Sequence, residues 1–159
     1  MSSRLRFRPA TIQDADVLAP ILRAADRLEI QAVVGRDPVD TLREGIATSD
    51  PCWASLNASG ALISLFGVVP DAGNTRSGMI WLLGSEELVS NRIAVLRASR
   101  AWIDRIHQHY DYFWNYVDSR NQVHIDWLHW CGFRFVELVE QYGVERRPFW
   151  RIEKARGNP

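Results

Sequence analysis

The sequence Y-D-Y-F-W-N-Y-V-D-S-R-N-Q-V-H-I-D-W-L-H-W-C-G-F, residues 110–133, contains the pattern that decides the fold. Its first third is rich in aromatic side chains, which favour a half-buried strand. Further on, Val123, Trp127 and Trp130 follow spacings of four and three, which place them on one face of a short helix. Gly132 then stands where a helix end needs a residue that tolerates a left-handed backbone. The stretch predicts a strand, a short helix, a glycine stop and the start of another strand.

The sequence on either side of this stretch divides into short strands and amphipathic helices. Pro20 lies within a helical pattern and predicts a kink or break, because proline removes a helical N–H and clashes with the preceding turn. Thr11 and Ser90 are predicted helix caps. In chain order we expect a strand at 5–8, helices at 11–29 and from 37, and strands at 52–56, 61–69 and 77–83. A helix at 91–109 should follow, then the strand and short helix of residues 110–133. Strands at 133–138 and 144–152 should complete the fold.

The length and composition indicate one ordinary globular domain that covers residues 1–159. Basic and acidic residues both number 19, so the net charge is zero and a nucleic-acid binder is not expected. The sequence shows no signal-peptide pattern and no uncharged apolar run of about 20 residues, so neither export nor a membrane span is expected. Two distant cysteines, Cys52 and Cys131, fit a reducing cytosol. The polar residues 153–159 are predicted to form a frayed tail.

Seven tryptophans are many for this length and indicate either a core of large rings or an exposed aromatic face. Three of them are predicted core residues: Trp81, Trp114 and Trp127. A domain of this size cannot enclose all seven, so we expect some half-exposed side chains among the other four. These four are Trp53, Trp102, Trp130 and Trp150. An aromatic patch on a neutral protein favours a protein partner.

Two motifs, together with the order of elements, resemble the GCN5-related N-acetyltransferase (GNAT) fold. R-x-R-P-A-T-x-x-D, residues 6–14, resembles the usual entry of that fold. N-x-x-x-x-x-W-L-x-x-C-G-F, residues 121–133, is similar to its N-x-x-A-x-x-L-Y-x-x-x-G-F segment. The resemblance covers nearly the whole chain. It implies an α/β (α+β) fold with a central mixed, mostly antiparallel sheet of six to seven strands, flanked by about four helices.

The resemblance implies an acyl-coenzyme A cofactor, acetyl-CoA or another acyl-CoA, in a wedge between the fourth and fifth strands. These strands are residues 77–83 and 112–117 here. In the family, pantetheine pairs with free backbone groups of the fourth strand, and the diphosphate rests at the N-terminus of the long helix. The implied cofactor-binding positions are Ile80, Trp81, Leu82, Leu83, Ser85 and Asn121. For Asn121, a structural role as the cap of the short helix explains the residue equally well.

Several parts of the family's chemistry are missing from this sequence. The phosphate loop (Q/R)-x-x-G-x-(G/A) is replaced by G-S-E-E-L-V-S-N-R-I-A, residues 84–94, in which Glu86 and Glu87 bring negative charge to the anion site. Residues 80–83 contain no glutamate that could act as the general base. The tyrosine that protonates the leaving thiolate in the family corresponds to Leu128, which cannot donate a proton. The fold resemblance therefore does not bring the usual chemistry with it.

Tyr116 and His124 are the candidate catalytic residues, because either could donate a proton in place of the missing tyrosine. Tyr112 is a further candidate at a suitable place. The structural alternative for His124 is a hydrogen bond to the adjacent strand end. The histidines and cysteines follow no recognised metal-ligand spacing such as H-E-x-x-H, so no metal site is predicted.

A narrower resemblance lies in W-N-Y-V, residues 114–117, followed by N-x-x-H-I-x-x-L, residues 121–128. These segments are similar to the acetyltransferase-fold internal virion proteins of short-tailed phages. This resemblance implies a phage or prophage protein in the cytoplasm of a bacterial host or in a virion, with virion or assembly proteins as partners. Self-association into a homo-oligomer is compatible with it.

Two functions follow from these resemblances. The first is an internal virion or assembly protein that acts through protein contacts, with acetyl transfer lost or unproven. The alternative is an active acyl-CoA-dependent N-acetyltransferase with a non-standard pyrophosphate loop. A wedge plugged by Trp81 and Trp114 would favour the first function, and an open wedge would favour the second.

Overall fold

A seven-stranded mixed sheet forms the middle layer of the protein. The computed structural model describes residues 4–157. The sheet order is β1-β2-β3-β4-β5-β7-β6, and all neighbouring strands are antiparallel except β4 and β5, which are parallel. The strands are β1 (Arg6–Pro9), β2 (Cys52–Leu56), β3 (Leu62–Asp71), β4 (Asn74–Gly84), β5 (Tyr112–Asp118), β6 (Arg134–Tyr142) and β7 (Arg147–Ala155).

Helices cover both faces of this sheet. They are α1 (Gln13–Leu18), α2 (Ala24–Val34), α3 (Pro38–Thr48), α4 (Glu87–Ser90), α5 (Arg92–Ile106) and α6 (Gln122–Trp130). The first three helices pack on one face around a core that includes Leu42 and Leu65. On the other face, α5 and α6 pack around a core that includes Ile106 and Phe113. No helix within residues 4–157 is long and apolar enough to cross a membrane.

The break expected at Pro20 is present, and it divides the first helical segment into α1 and α2. Residues Ala19–Ile21 form a 3-10 turn, and α2 begins at Ala24. The prediction that Ser90 caps the long helix is wrong, because Ser90 ends α4 and Asn91 is the N-cap of α5. Helix α4 has four residues, which is too short for a hydrophobic period to reveal it.

Helix α6 turns a different face to the core than its aromatic spacing predicted. Val123 and Trp130 are 40% and 44% exposed, whereas His124 and Leu128 are buried. Trp127 is partly buried against the same core. The prediction failed because apolar side chains lie on several sides of this helix, so that two faces satisfy the helical spacing.

Residues 153–155 belong to β7, so the prediction that they form part of a frayed tail is wrong. Glu153 pairs with Trp114, and Ala155 pairs with Tyr112. Strand β7 lies between β5 and β6 and uses its backbone on both sides, which holds this polar segment in the sheet. Residues 158 and 159 of the predicted tail lie outside the described residues.

The tryptophan prediction is confirmed in one respect and wrong in another. Trp130 is exposed, as the excess of large rings led us to expect for some of these side chains. The three tryptophans predicted as core residues are partly exposed, and two of them, Trp81 and Trp127, border the cores instead of filling them. Both cores within the described residues are therefore built mainly from aliphatic side chains and phenylalanine.

The prediction that Thr11 caps the first helix is wrong, although one bond of a capping box is present at the start of α1. The Asp14 carboxylate accepts the backbone N–H of Thr11 at 2.8 Å, as a capping box requires. The N-cap residue is Ile12 and not Thr11, and it makes no side-chain capping bond. Asp14 also accepts two hydrogen bonds of 2.8 Å from Arg8. This carboxylate therefore ties β1 to α1.

Replacing Asp14 with asparagine is expected to lower the free energy of unfolding by about 1–3 kcal/mol at neutral pH. The bond from Arg8 is the main reason that the pKa of Asp14 is lowered from its usual range. A carboxyl with a depressed pKa stabilises the fold above its unfolded pKa, near 4, and loses that effect as the pH falls through its folded pKa. Urea unfolding from pH 7 to pH 2 should show the two proteins converging below about pH 4. A constant difference over this range would contradict the assignment.

Both cysteine thiols are expected to resist reaction with thiol reagents in the native protein. Burial raises the pKa of Cys131 to about 12 and that of Cys52 to about 11, so few thiolates exist at pH 8. A disulfide-exchange reagent such as Ellman's should report almost no thiol in folded protein and two after unfolding in guanidinium. Rapid reaction of one thiol in the folded protein would contradict this expectation.

Candidate functional site

Strands β4 and β5 separate after three paired positions. Residues 77–79 of β4 pair with residues 112–114 of β5, and no further pairs join the two strands within the described residues. We call the gap between residues 80–84 and residues 115–118 the wedge. Strands that diverge leave backbone N–H and C=O groups without sheet partners, so other groups must satisfy them.

The narrow end of the wedge is bridged by Asn115. Its side-chain Nδ2 donates to the Ile80 carbonyl at 2.6 Å. The indole N–H groups of the two tryptophans that we considered as plugs bond to residues outside β4 and β5. The indole N–H of Trp81 donates to Ser49 at 2.8 Å, and that of Trp114 donates to Asp71 at 3.1 Å. The middle of the wedge therefore remains open.

The wedge continues into a cleft of about 500 Å³ that is bordered by α2, α3 and α6. The cleft wall is mostly apolar, and Tyr116 stacks on Tyr142 there with ring centroids 4.3 Å apart. Two glutamates, Glu29 and Glu44, lie in this wall, and no arginine or lysine of residues 4–157 does. The cleft can therefore hold a small molecule, and its charge disfavours an anion.

Two carboxylates of α2 cap the diverging strands at the wide end of the wedge. Asp26 accepts the backbone N–H of Gly84 at 2.9 Å, and Glu29 accepts the backbone N–H of Asp118 at 2.9 Å. The Asn121 side chain joins the two carboxylates, because its Nδ2 donates to Asp26 at 3.1 Å and to Glu29 at 2.7 Å. Side chains of α2 thus replace the sheet pairing that β4 and β5 have lost.

The segment before α2 closes the same end with its backbone. The N–H of Arg23 donates to the carbonyl of Gly84 at 2.9 Å, and Leu22 forms an antiparallel bridge with Ser85. The Arg23 side chain pairs with Asp26 at 3.0 Å, with the side chains 6% and 0% exposed. Both wedge-facing groups of Gly84 are therefore occupied by residues of this chain.

The network at the wide end is charged and largely removed from water. Burial raises the pKa of the Glu29 carboxyl, and the nearby His124 and the Asp118 N–H act in the opposite direction. Arg23 and Asp26 form a buried ion pair, and such a pair persists only when further hydrogen bonds satisfy its remaining atoms. Asp26 has these further bonds from Gly84 and Asn121.

The predicted catalytic residues both lie at the cleft, on different elements. Tyr116 of β5 lines its wall beside Tyr142, and His124 of α6 also lines it. The Nε2 atom of His124 is buried without a hydrogen-bond partner and lies 3.4 Å from an Asp26 oxygen. Within residues 4–157, His124 does not make the strand-end hydrogen bond that we considered for it. The catalytic role of Tyr116 and His124 stays a prediction.

The predicted cofactor-binding residues occupy three different environments. The four residues of β4, Ile80, Trp81, Leu82 and Leu83, line the cleft. The buried Ser85 hydroxyl donates to the Leu62 carbonyl at 3.0 Å and is turned away from the wedge. Asn121 stands at the N-cap position of α6 but makes no capping bond, since its side chain serves the network of α2 carboxylates. Their cofactor role also stays a prediction.

The segment expected to hold a diphosphate forms helix α4 instead of an open loop. The backbone N–H groups of Leu88 and Val89 donate to the carbonyls of Ser85 and Glu86, so both are already hydrogen-bonded within the helical turn. The Glu87 carboxylate accepts from Asn91 at 3.1 Å and stays at this end of α5. Acyl-CoA bound in the family's manner does not fit the wide end of the wedge, because Arg23, Asp26 and Glu29 already occupy it.

Sequence reasoning missed Arg23, Asp26 and Glu29. All three stand in a polar-looking segment, R-A-A-D-R-L-E, whose charges are typical of a solvated helix face. No motif or spacing marked Asp26 as buried. Its partners Gly84 and Asn121 lie 58 and 95 positions away in the chain.

The sequence matches no protein-family model and no curated protein. Solved structures with a similar fold are nevertheless numerous. A GNAT-family acetyltransferase from Bacillus anthracis superimposes with a TM-score of 0.69 at 9% identity, covering 98% of this chain and 96% of that one. The ribosomal-protein-S5-alanine acetyltransferase from Vibrio fischeri gives 0.69 at 15% identity, with 98% and 97% covered.

A third similar structure contains a bound cofactor. Spermidine N-acetyltransferase from Vibrio cholerae in complex with CoA and spermine has a TM-score of 0.67 at 16% identity, covering 97% of this chain and 96% of that one. Identities this low establish a common fold and no common activity. The chain therefore has the mixed α/β fold of GNAT acetyltransferases, as its motifs and order of elements led us to expect.

Proposed function

We propose that this protein works by contacting other proteins and that it has lost acetyl transfer. One observation carries the proposal: the wide end of the wedge is closed by Arg23, Asp26 and Glu29, which occupy backbone groups of both strands. An acyl-CoA molecule that entered there would have to displace a buried ion pair and leave its charges without partners. Such a displacement costs several kcal/mol.

The biological setting within this proposal is a phage or prophage virion. Its support is the resemblance of residues 114–117 and 121–128 to internal virion proteins of short-tailed phages. In this chain the second segment contains Asn121 and His124, which line or close the wedge. The proposed partners are virion or assembly proteins, and a second copy of the chain is compatible with this role.

Exposed side chains on α6 suit a protein partner. Trp130 is 44% exposed, and its ring lies 4.1 Å from the guanidinium carbon of Arg100. Tryptophan and arginine are enriched among residues that dominate binding at interfaces. Val123 of the same helix is 40% exposed. This side of α6 is our candidate contact surface.

An active N-acetyltransferase is the second candidate, and the open middle of the wedge favours it. Strands β4 and β5 diverge as the fold requires for an acyl-CoA enzyme, and the adjoining cleft contains Tyr116 and His124. In this function either residue would donate a proton within the cleft. The filled wide end of the wedge is the reason that we rank this function second.

A turnover assay separates these two functions. Purified protein is incubated with acetyl-CoA and a panel of primary amines, including spermidine and peptide N-termini, and free CoA and acylated amines are measured by mass spectrometry. We expect no product above the rate without protein. Product formation that Tyr116→Phe or His124→Gln abolishes, while the surface control His109→Ala leaves it unchanged, would establish the second function and contradict the first.

The virion role has its own test. Particles released after induction of the prophage that encodes this chain can be purified and their proteins counted by quantitative mass spectrometry. We expect the chain at a fixed number of copies per particle or assembly intermediate. Its absence from both would contradict the proposed setting.

A further inference from the structure

Three potential metal-ligating side chains meet at the wide end of the wedge. Asp26 and Glu29 lie one turn apart on α2, and His124 faces them from α6. One ligand atom of each lies within 4.8 Å of the others. A carboxylate pair with one imidazole is a donor set that suits divalent transition metals. No ligand motif in the sequence marks this set of three side chains, because α2 and α6 are about 95 residues apart.

The imidazole of His124 gives an independent indication of a missing partner. Its Nε2 is buried, has no hydrogen-bond partner among the described residues, and lies 3.4 Å from an Asp26 oxygen. Well-formed hydrogen bonds between nitrogen and oxygen are usually about 2.7–3.2 Å long. Two ligands bound to one tetrahedral zinc at about 2.1 Å lie about 3.4 Å from each other. The pair therefore has the spacing of adjacent metal ligands.

The side chain of Asn121 gives a second indication. Its amide nitrogen lies between the Asp26 and Glu29 carboxylates and occupies the place where a cation would be held. Its oxygen is buried and has no partner. Rotation of the amide group by half a turn would present that oxygen to the same position. An oxygen facing two carboxylates is stable when a cation stands between them.

The surrounding charges set the selectivity of such a site. Arg23 contacts Asp26 at 3.0 Å and brings one positive charge, whereas Asp26 and Glu29 together bring two negative charges when ionised. A divalent cation must share the Asp26 carboxylate with the positive charge of Arg23, so Asp26 and Glu29 alone would bind it weakly. The imidazole then decides which ion binds, because Mg²⁺ prefers oxygen ligands and Zn²⁺ accepts nitrogen readily.

We propose that Asp26, Glu29 and His124 bind a divalent transition-metal ion such as Zn²⁺, with the Asn121 amide oxygen as a further ligand. The ion would join α2 to α6 across the wide end of the wedge and replace the weaker bridge made by the Asn121 N–H groups. The role is structural, since bound metal stabilises the folded state by mass action. This inference does not depend on the proposed virion function.

Metal-dependent melting tests the site. Protein treated with EDTA and dialysed is melted with Zn²⁺, with Mg²⁺ and without metal. We expect Zn²⁺ at a hundredfold excess over its dissociation constant to raise Tm by about 5 °C or more, and Mg²⁺ to have little effect. Co²⁺ should give visible absorption bands that Zn²⁺ removes by competition.

Two site variants and one control identify the ligands. Glu29→Gln and His124→Gln should each lose the Zn²⁺ shift and the Co²⁺ bands while circular dichroism shows them folded. His129→Ala removes an exposed histidine of the same helix and should keep both signals. The proposal is overturned if the unaltered protein shows no Zn²⁺ shift. It is equally overturned if Glu29→Gln binds Co²⁺ normally, or if His129→Ala abolishes binding, since the metal then lies elsewhere.

Discussion

Replacing Asp26 with alanine lowers the free energy of unfolding by about 3–5 kcal/mol, because it leaves Arg23 buried without its counter-charge. The Arg23 side chain is 6% exposed, so water cannot replace the lost carboxylate. The change also removes the acceptor for the Gly84 N–H. A loss of this size is a large fraction of the stability of an ordinary domain. Urea unfolding monitored by tryptophan fluorescence would measure it.

An exposed ion pair provides the control for this substitution. Asp16 pairs with Arg43 at 2.5 Å on the outer surfaces of α1 and α3, where the side chains are 52% and 47% exposed. Asp16→Ala should cost at most about 1 kcal/mol. If Asp26→Ala costs no more than Asp16→Ala, the carboxylate does not hold the wedge as described. The double variant Arg23→Met with Asp26→Leu should recover part of the loss, because it removes both buried charges together.

Replacing Gly143 with alanine is the second substitution with a large expected effect. Gly143 has φ +74° in the turn between β6 and β7, and an added Cβ would lie 2.4 Å from the Ala32 carbonyl oxygen and 2.8 Å from the Val33 Cα. The left-handed backbone costs a non-glycine residue about 1–3 kcal/mol. The contact with backbone atoms adds to this strain because α2 cannot yield locally. We expect a total loss of about 3 kcal/mol or more.

The position of α2 is the reason that this turn bears on the wedge. The backbone N–H groups of Val144 and Glu145 donate to Val33 and Ala32 at 3.2 and 3.1 Å, so the turn anchors the end of α2. Gly60→Ala is the matched control. Gly60 also has a positive φ of +86°, but its nearest neighbour to an added Cβ is the Arg6 guanidinium at 3.8 Å. Equal losses for the two variants would show that φ strain alone is responsible.

Local patterns allowed much of the fold to be predicted from the sequence. The strands predicted at residues 52–56 and 61–69 are present as β2 and β3, and Gly132 adopts the left-handed backbone expected of it at the end of α6. The divergence of β4 and β5 followed from the resemblance in element order. The strands and the glycine at the helix end depend on short spacings in the sequence, which hydrophobic periodicity reports directly.

The closure of the wedge could not be predicted, because it depends on contacts between distant segments. Asp26 and Glu29 look like surface charges in the helix pattern, and only the burial of Asp26 and the backbone contacts of both carboxylates reveal their role. The charged end of β7 likewise looked like a tail, since its place in the sheet comes from pairing with β5. The burial of a charged residue indicates a structural role, and this burial is visible in the structure but not in the sequence.

Calorimetric titration of the unaltered protein with acetyl-CoA tests the central claim most directly. Because the wide end of the wedge is closed, we expect no saturable heat up to millimolar cofactor. We also expect no change in the hydrogen-exchange protection of the Gly84 amide. Saturable binding at one molecule per chain, together with loss of protection at Gly84, would show that the cofactor displaces Asp26 and Arg23. That result would contradict a wedge permanently closed by its own helix.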